Sequence, residues 1–315
     1  MITSTNEYSH TIGIASFEGR GFMNPIDVVF NNNLLYVLSR SNASNKNNRV
    51  SALTLDSDHK FEFANWGEDS GKSILPTAIA IDKEDNFILS DEHLNRISIF
   101  DLEGNFIKHW GEFGNKPGQL NRPSGISIDS ENNILIVDHL NSRIQKFDNN
   151  GKFISSFGKY GNDESEFNYP WGIDTDKDQN IYVADWRNNR IQMFSSEGDY
   201  LSSIEKYEDK KLNKPSSVHI NSKGIIFVTN WADDSVVIYD SNHKFITKLI
   251  GDATISKWCQ EFLDVNPEQS SWRENAGLFE KEKRFWRPQN IHSNDDLVFI
   301  TDSCRHRIQI YKNLF

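Results

Sequence analysis

The feature that most constrains this chain is a repeat. One pattern recurs along it: Pro, two residues, an aliphatic residue, a polar turn, a β-branched run, an Asp, then Arg-Ile. It reads PSGISIDSENNILIVDHLNSRIQKF from Pro123 and PWGIDTDKDQNIYVADWRNNRIQMF from Pro170. The same frame begins at Pro76 and, more weakly, at Pro215, with degenerate copies from Pro25 and Pro288. Successive prolines stand 51, 47, 47, 45 and 73 residues apart. Each copy holds three short alternating runs, then a fourth such as Phe106–Gly111 or Phe153–Gly158. Alternation between turn signals means antiparallel strands. Four strands per ~45-residue repeat is the pattern of a propeller blade. Helical repeats would need apolar spacings of three and four, which are absent.

The ends of the chain fit closure. The last copy stops after its third strand, Arg307–Phe315, and His10–Gly19 reads as an orphan fourth strand. Pairing the two would close the ring and remove its exposed edges. The sequence is therefore expected to fold as an all-β, six-bladed β-propeller, one domain over residues 1–315, with blades starting near 25, 76, 123, 170, 215 and 288. Asn clusters such as Asn31–Asn33 and Asn188-Asn189 fit its tight turns.

Composition narrows the partners. The net charge is −11, which argues against nucleic acid as a ligand. Two cysteines, Cys259 and Cys304, cannot build a disulfide framework. The segment Met1–His10 lacks the basic start and apolar stretch of a signal peptide, and no apolar run approaches the ~20 residues of a membrane span. The expectation is a cytoplasmic protein with no membrane partner.

The repeats resemble those of the NHL-repeat family, most specifically in the copies from Pro76, Pro123 and Pro170. Asp-x-x-Asn-x-Arg-Ile at Asp138–Ile144 and Asp185–Ile191 matches the family core. The copy from Pro215 departs from it, with Asn230 for the Asp and Ser235 for the Arg. The resemblance implies a propeller, in a family that includes RNA readers, protein-interaction modules, extracellular sensors and a few enzymes. Its amidating lyases carry zinc on histidines directly after the repeat proline. Here those positions are Ile26, Thr77, Ser124, Trp171, Ser216 and Gln289, so that chemistry is not expected.

Repetition separates structural residues from functional ones. Asp91, Asp138, Asp185 and Asp302 each end a strand, with Arg96, Arg143, Arg190 and Arg307 five residues later. A pair present in nearly every copy is expected to close the loop between the second and third strands. Function is expected where the copies differ. The residues following the second strands read Arg40, Glu92, His139, Trp186, Trp231 and Ser303, and this topology gathers them at one mouth of the central channel. His139 and Glu92 suit acid–base chemistry, Arg40 or Arg187 an electrostatic clamp, and Trp171, Trp186 and Trp231 the walls of a small-molecule site. The tryptophans suit packing between blades equally well. Deeper along the innermost strands, Asp174, His219 and His292 occupy equivalent positions and could hold a divalent metal or simply bond to the channel wall.

The 73-residue interval holds about 25 residues more than the repeat needs. Ile255–Val265 spaces Ile255, Trp258, Phe262 and Val265 as on a short amphipathic helix, and Trp272, Phe279, Phe285 and Trp286 add aromatic mass. Residues 252–287 are expected to form a partly helical lid over the mouth, with Trp258 and Trp286 on the ligand. A shorter insertion, Asn42–Asn48, extends a loop on the same face, and Cys259 and Cys304 are expected near the same region. The functional expectation is a lyase- or hydrolase-type enzyme acting on a small molecule, with no cofactor required. The alternative is a non-catalytic scaffold binding a ligand or protein.

Overall fold

The computed structural model describes residues 7–41 and 44–312. Residues 42 and 43 of the expected loop insertion, and 313–315 of the last strand, lie outside the described residues. Six four-stranded antiparallel sheets stand around a central channel. Their innermost strands are Pro25–Asn31, Pro76–Ile81, Pro123–Ile128, Pro170–Thr175, Pro215–Ile220 and Pro288–Ser293. Five sheets are built from consecutive strands. The sixth takes its outermost strand, Glu7–Ile12, from the start of the chain, paired antiparallel with Arg307–Lys312 in the register Tyr8↔Tyr311 and Thr11↔Gln309.

The strand composition follows from sandwiching each sheet between two neighbours. In Ile134–Asp138 every residue is buried. Ile134 and Ile136 face the preceding blade, and Leu135 and Val137 face the following one. Both faces are covered, so the run is continuously apolar. The outermost strands keep the alternation, as in Phe106–Trp110. One apolar core fills each of the six interfaces between blades. Near the channel the innermost strands come so close that a side chain at Gly125 or Gly172 would meet backbone of the next blade, at 2.6 Å from Trp171 O and 2.7 Å from Ser216 O.

The repeated Asp and Arg form a structural clasp. Asp138 Oδ1 accepts from Asn121 N–H at 2.7 Å, and Oδ2 accepts from Asn141 Nδ2, Arg143 Nε and Gln145 Nε2 at 2.8, 2.8 and 3.0 Å. Arg143 also donates to Lys116 O and Gln119 O, tying the turn to the segment entering its own blade. Asp185 with Arg190 and Asp302 with Arg307 repeat the arrangement. Asp91 departs from it: it accepts backbone N–H from Ile74, Leu75, His93 and Leu94, while Arg96 donates only to carbonyls. In the fifth blade Asn230 keeps the backbone bond, to Asn213 N–H, and Asp233 takes the donors, including Lys248 at 2.6 Å.

A second contact latches blade to blade at the same end. A left-handed residue closing the turn accepts from the residue before the next blade's proline. The pairs are Asn95 with Arg122 N–H, Asn189 with Lys214 N–H, Asp234 with Arg287 N–H and His306 with Asn24 N–H.

Residues 252–287 first pack against the outer wall and then return to the rim, where Leu278, Lys281 and Trp286 line a space with Asp233, Asp234 and Arg305. They form α1 (Lys257–Val265), α2 (Pro267–Ala276) and α3 (Phe279–Lys283). Ser256 caps α1 by accepting from Cys259 N–H, and its hydroxyl donates to Gly13 O. Trp258 is buried among Ile12, Phe22 and Leu53, with Nε1 donating to Ser57 O at 2.9 Å. Thr254 bonds Tyr8, and Arg307 and Gln309 bond carbonyls of α3 and the residue after it. The expected lid is thus corrected. Among the described residues, no hydrogen bond or ion pair of 252–285 reaches Arg40, Glu92, His139, Trp171 or Trp186, because α1 buries its apolar face in the seam between the sixth and first blades. No helix is long and apolar enough to cross a membrane.

Asp185→Ala should cost about 3–5 kcal/mol in urea unfolding, since it strands a buried guanidinium and two side-chain amides. Asp91→Ala leaves no paired guanidinium behind and should cost less. Equal losses would show that the ion pair contributes nothing.

Candidate active site at the channel mouth

The short turns after the second strands place the expected residues where the topology put them. His139, Trp186 and Trp231 each open a 3-10 turn directly after the clasp residue. His139 is buried, and its Nδ1 lies 2.8 Å from Pro170 O of the next blade. A carbonyl only accepts, so Nδ1 carries the proton and Nε2 keeps its lone pair. Ser303 makes the equivalent bond in the sixth blade, its hydroxyl donating to Pro25 O. His139 therefore does the interblade task with one nitrogen and leaves the other without a protein partner among the described residues. Burial holds its pKa below the ordinary imidazole range, assisted by the Arg122 and Arg187 charges and opposed by the Pro170 bond and the Glu92 carboxylate.

Glu92 stands on the adjacent blade. Its Oε1 accepts from Arg40 Nη2 at 2.6 Å, and its side chain is 9 % exposed against 22 % for Arg40. The expected clamp Arg40 is therefore committed to holding Glu92, and among the described residues Arg122 and Arg187, neither of them in an ion pair, are the cations whose charges act on His139. Arg187 lies over the Tyr169 ring, its guanidinium carbon 4.0 Å from the ring centre.

From here a belt of rings and cations follows the rim. The His139 ring meets Trp171 and Tyr169 edge-on, with centroids 5.0 and 5.1 Å away. Trp186 meets Trp231 at 5.9 Å, Lys214 Nζ sits 4.9 Å from the Trp186 ring, and Arg287 4.5 Å from Trp231. Arg305 ends the belt 5.6 Å from Trp286, which is half exposed. Cations over π faces fix the rings and leave their charge at the surface. Trp258 is the exception among the expected wall residues, being buried in the outer seam.

Arg122, Tyr169, Lys214 and Arg287 were missed by sequence reasoning. They precede the blade prolines and hold left-handed φ of 53–56°. Reading the copies one residue before the proline would have found three cations and a tyrosine at equivalent places.

The channel itself is a cavity of about 220 Å³. Asp174, His219 and His292 all line it, but the metal set expected of them is corrected. His219 Nε2 accepts from Ser293 N–H at 3.1 Å, so its proton sits on Nδ1, donated to Asp174 Oδ2 at 2.9 Å. Asp174 accepts further from Ile220 N–H and Thr175 N–H. Both partners are thus engaged, and among the described residues no three His, Cys, Asp or Glu side chains are grouped to share an ion. Asp27, two positions earlier in its strand and also missed, bonds Val28 N–H and, across the blade interface, Ile79 N–H; burial pushes it up to about 7. These acids stitch neighbouring innermost strands together. The two thiols, both free, are also apart in role: Cys259 lines a cavity under the helices and Cys304 follows Ser303 at the rim; burial pushes both up.

Residues 167–194 match the NHL repeat model, and residues 76–157 match the 6-bladed beta-propeller model. The chain is a six-bladed β-propeller of NHL-type repeats. No curated protein matches it in sequence. Among solved structures it is similar to a catalytically inactive virginiamycin B lyase from Staphylococcus aureus with quinupristin, at 14% identity and a TM-score of 0.59, covering 97% of this chain and 99% of that one. It is also similar to a putative gluconolactonase, at 12% identity and a TM-score of 0.62, covering 98% of each chain. A protein of unknown function from Bacteroides thetaiotaomicron matches at 12% identity and a TM-score of 0.64, covering 98% of this chain and 73% of that one. Such likeness shows the fold. Its neighbours include enzymes and proteins without assigned activity.

His292 gives a test of the channel. Its ring centroid is 5.4 Å from that of His219, and burial, then repulsion between the two imidazoles if both take up a proton, push its pKa down to about 3. The folded chain holds this ring neutral, so stability is present above the ordinary imidazole range and lost as pH falls towards 3. Between pH 7 and 4 the wild type should lose about 3 kcal/mol more than His292→Gln. Parallel pH profiles in urea unfolding would show that His292 titrates normally.

Proposed function

We propose that the mouth of this propeller performs acid–base chemistry on a small anionic, ring-bearing molecule, with His139 as the base. One observation carries the reading: His139 is fixed by its Nδ1, has no protein partner for Nε2 among the described residues, packs edge-on against Trp171 and feels the charges of Arg122, Arg187 and the Arg40-held Glu92. A base must be unprotonated at working pH and aimed by a second bond, and His139 meets both conditions. Arg187 and Lys214 supply charge to an anionic group, and the half-buried rings of Trp171 and Trp186 supply the walls. Nε2 would take a proton from the substrate or from a water molecule, and Glu92 would balance the imidazolium. Elimination and hydrolysis both fit, and neither calls on an organic cofactor. That lyase- and lactonase-named propellers share the fold supports the reading as a precedent.

The open mouth favours a second reading, a non-catalytic site for a larger ligand. Among the described residues the insertion makes no hydrogen bond or ion pair to His139, Trp171 or Trp186, which leaves that side of the belt to a peptide or protein.

A panel of small anionic lactones, esters and β-substituted acids separates the two. Under the first reading a substrate is turned over, His139→Gln lowers kcat by about 10²–10⁴-fold, and Arg187→Ala raises KM about tenfold with kcat nearly kept. The acid limb of kcat/KM lies below the ordinary imidazole range, because the folded protein depresses the His139 pKa. Turnover untouched by His139→Gln would refute the catalytic role; binding to the belt with no turnover across the panel would favour the second reading.

A further inference from the structure

The path of the insertion creates a cavity that the mouth chemistry does not use. Between the helices and the outer edge of the sixth blade lies a space of about 550 Å³, inside the roughly 300–1,000 Å³ range of ligand pockets. Ile14, Ile255 and Phe279 give it apolar walls. Four cations line it, and three are neutralised: Arg273 by Glu282 at 2.6 Å, Lys283 by Glu280 at 2.6 Å and Arg307 by Asp302 at 2.7 Å.

Arg305 is different. One Nη2–H donates to Lys281 O at 2.8 Å, and the buried Nε has no acceptor. Among the described residues no carboxylate pairs with it. The Nε is shut off from the cavity, but a guanidinium without a carboxylate on a cavity wall can take an anion on its terminal nitrogens. The cavity is too large for a bare ion alone, and its apolar walls call for a body behind the charge. Glu282, already on Arg273, opposes a second negative charge, which favours a carboxylate over a phosphate dianion.

We propose that this cavity binds a small amphipathic carboxylate, its acid group on Arg305 and its apolar body against Ile255 and Phe279. None of the residues given a part in the mouth chemistry lines this cavity; Arg305 alone links it to the rim, through Trp286.

Octanoate, with octanol as its uncharged counterpart, tests this by isothermal titration calorimetry on the full chain. Wild type should bind octanoate saturably at one site. Arg305→Gln should weaken octanoate at least tenfold while leaving octanol unchanged, and Ile255→Trp, which fills the cavity, should weaken both. Melting curves of the two variants check that they fold. The proposal is overturned by any of three results: no saturable octanoate binding to the wild type, equal affinity in Arg305→Gln, or unchanged binding in Ile255→Trp.

Discussion

The buried aspartate that ends the second strand in four of the six blades is the interaction on which this structure depends. In the third, fourth and sixth blades its two oxygens gather a backbone N–H from the segment entering the blade and an arginine from the strand that follows. A carboxylate fully removed from water is tolerated only because these donors meet it together. The clasp holds the turn in one shape, and the residue next in the chain inherits a defined position at the channel mouth. His139 follows Asp138, Trp186 follows Asp185 and Trp231 follows Asn230, so the positions open to variation are those that the structural residues hold in place.

That division explains what could be read from the sequence. Blade number, strand order and closure by the first strand, expected at His10–Gly19 and found at Glu7–Ile12, were legible, because a period of ~45 residues with a proline in every copy and an aspartate in four of the six admits few topologies. The structural role of the Asp–Arg pairs was legible from their repetition. Asp91 shows the limit: its arginine stands at the right spacing, yet backbone donors occupy the carboxylate. Spacing records which partners can meet, whereas the local turn decides which do.

The insertion was legible in length and not in direction. A segment leaving the outermost strand of the fifth blade can fold over the mouth or down the wall. Three particular contacts decide it: Trp258 against Phe22, its Nε1 on Ser57 O, and Ser256 on Gly13 O. All three partners lie in the first 60 residues, distant from the insertion in the chain and without a periodic signal. The channel set failed for a related reason. Asp174 and His219 stand at metal-like positions, but each also faces backbone N–H groups of a neighbouring strand, and those claim the lone pairs first. The cation–aromatic belt was only half seen, since Tyr169, Lys214 and Arg287 belong to the position before the proline.

The functional account depends on one imidazole holding its proton on the nitrogen that faces the protein. Long-range ¹H–¹⁵N correlation spectra of the histidine side chains, assigned with His139→Gln and followed over pH, observe this directly. At pH 7 His139 is expected to be neutral, with Nδ1 protonated and Nε2 showing the shift of a bare nitrogen, and its titration to lie below the ordinary imidazole range. A His139 ring that is already cationic at that pH, or one that carries its single proton on Nε2, would contradict it.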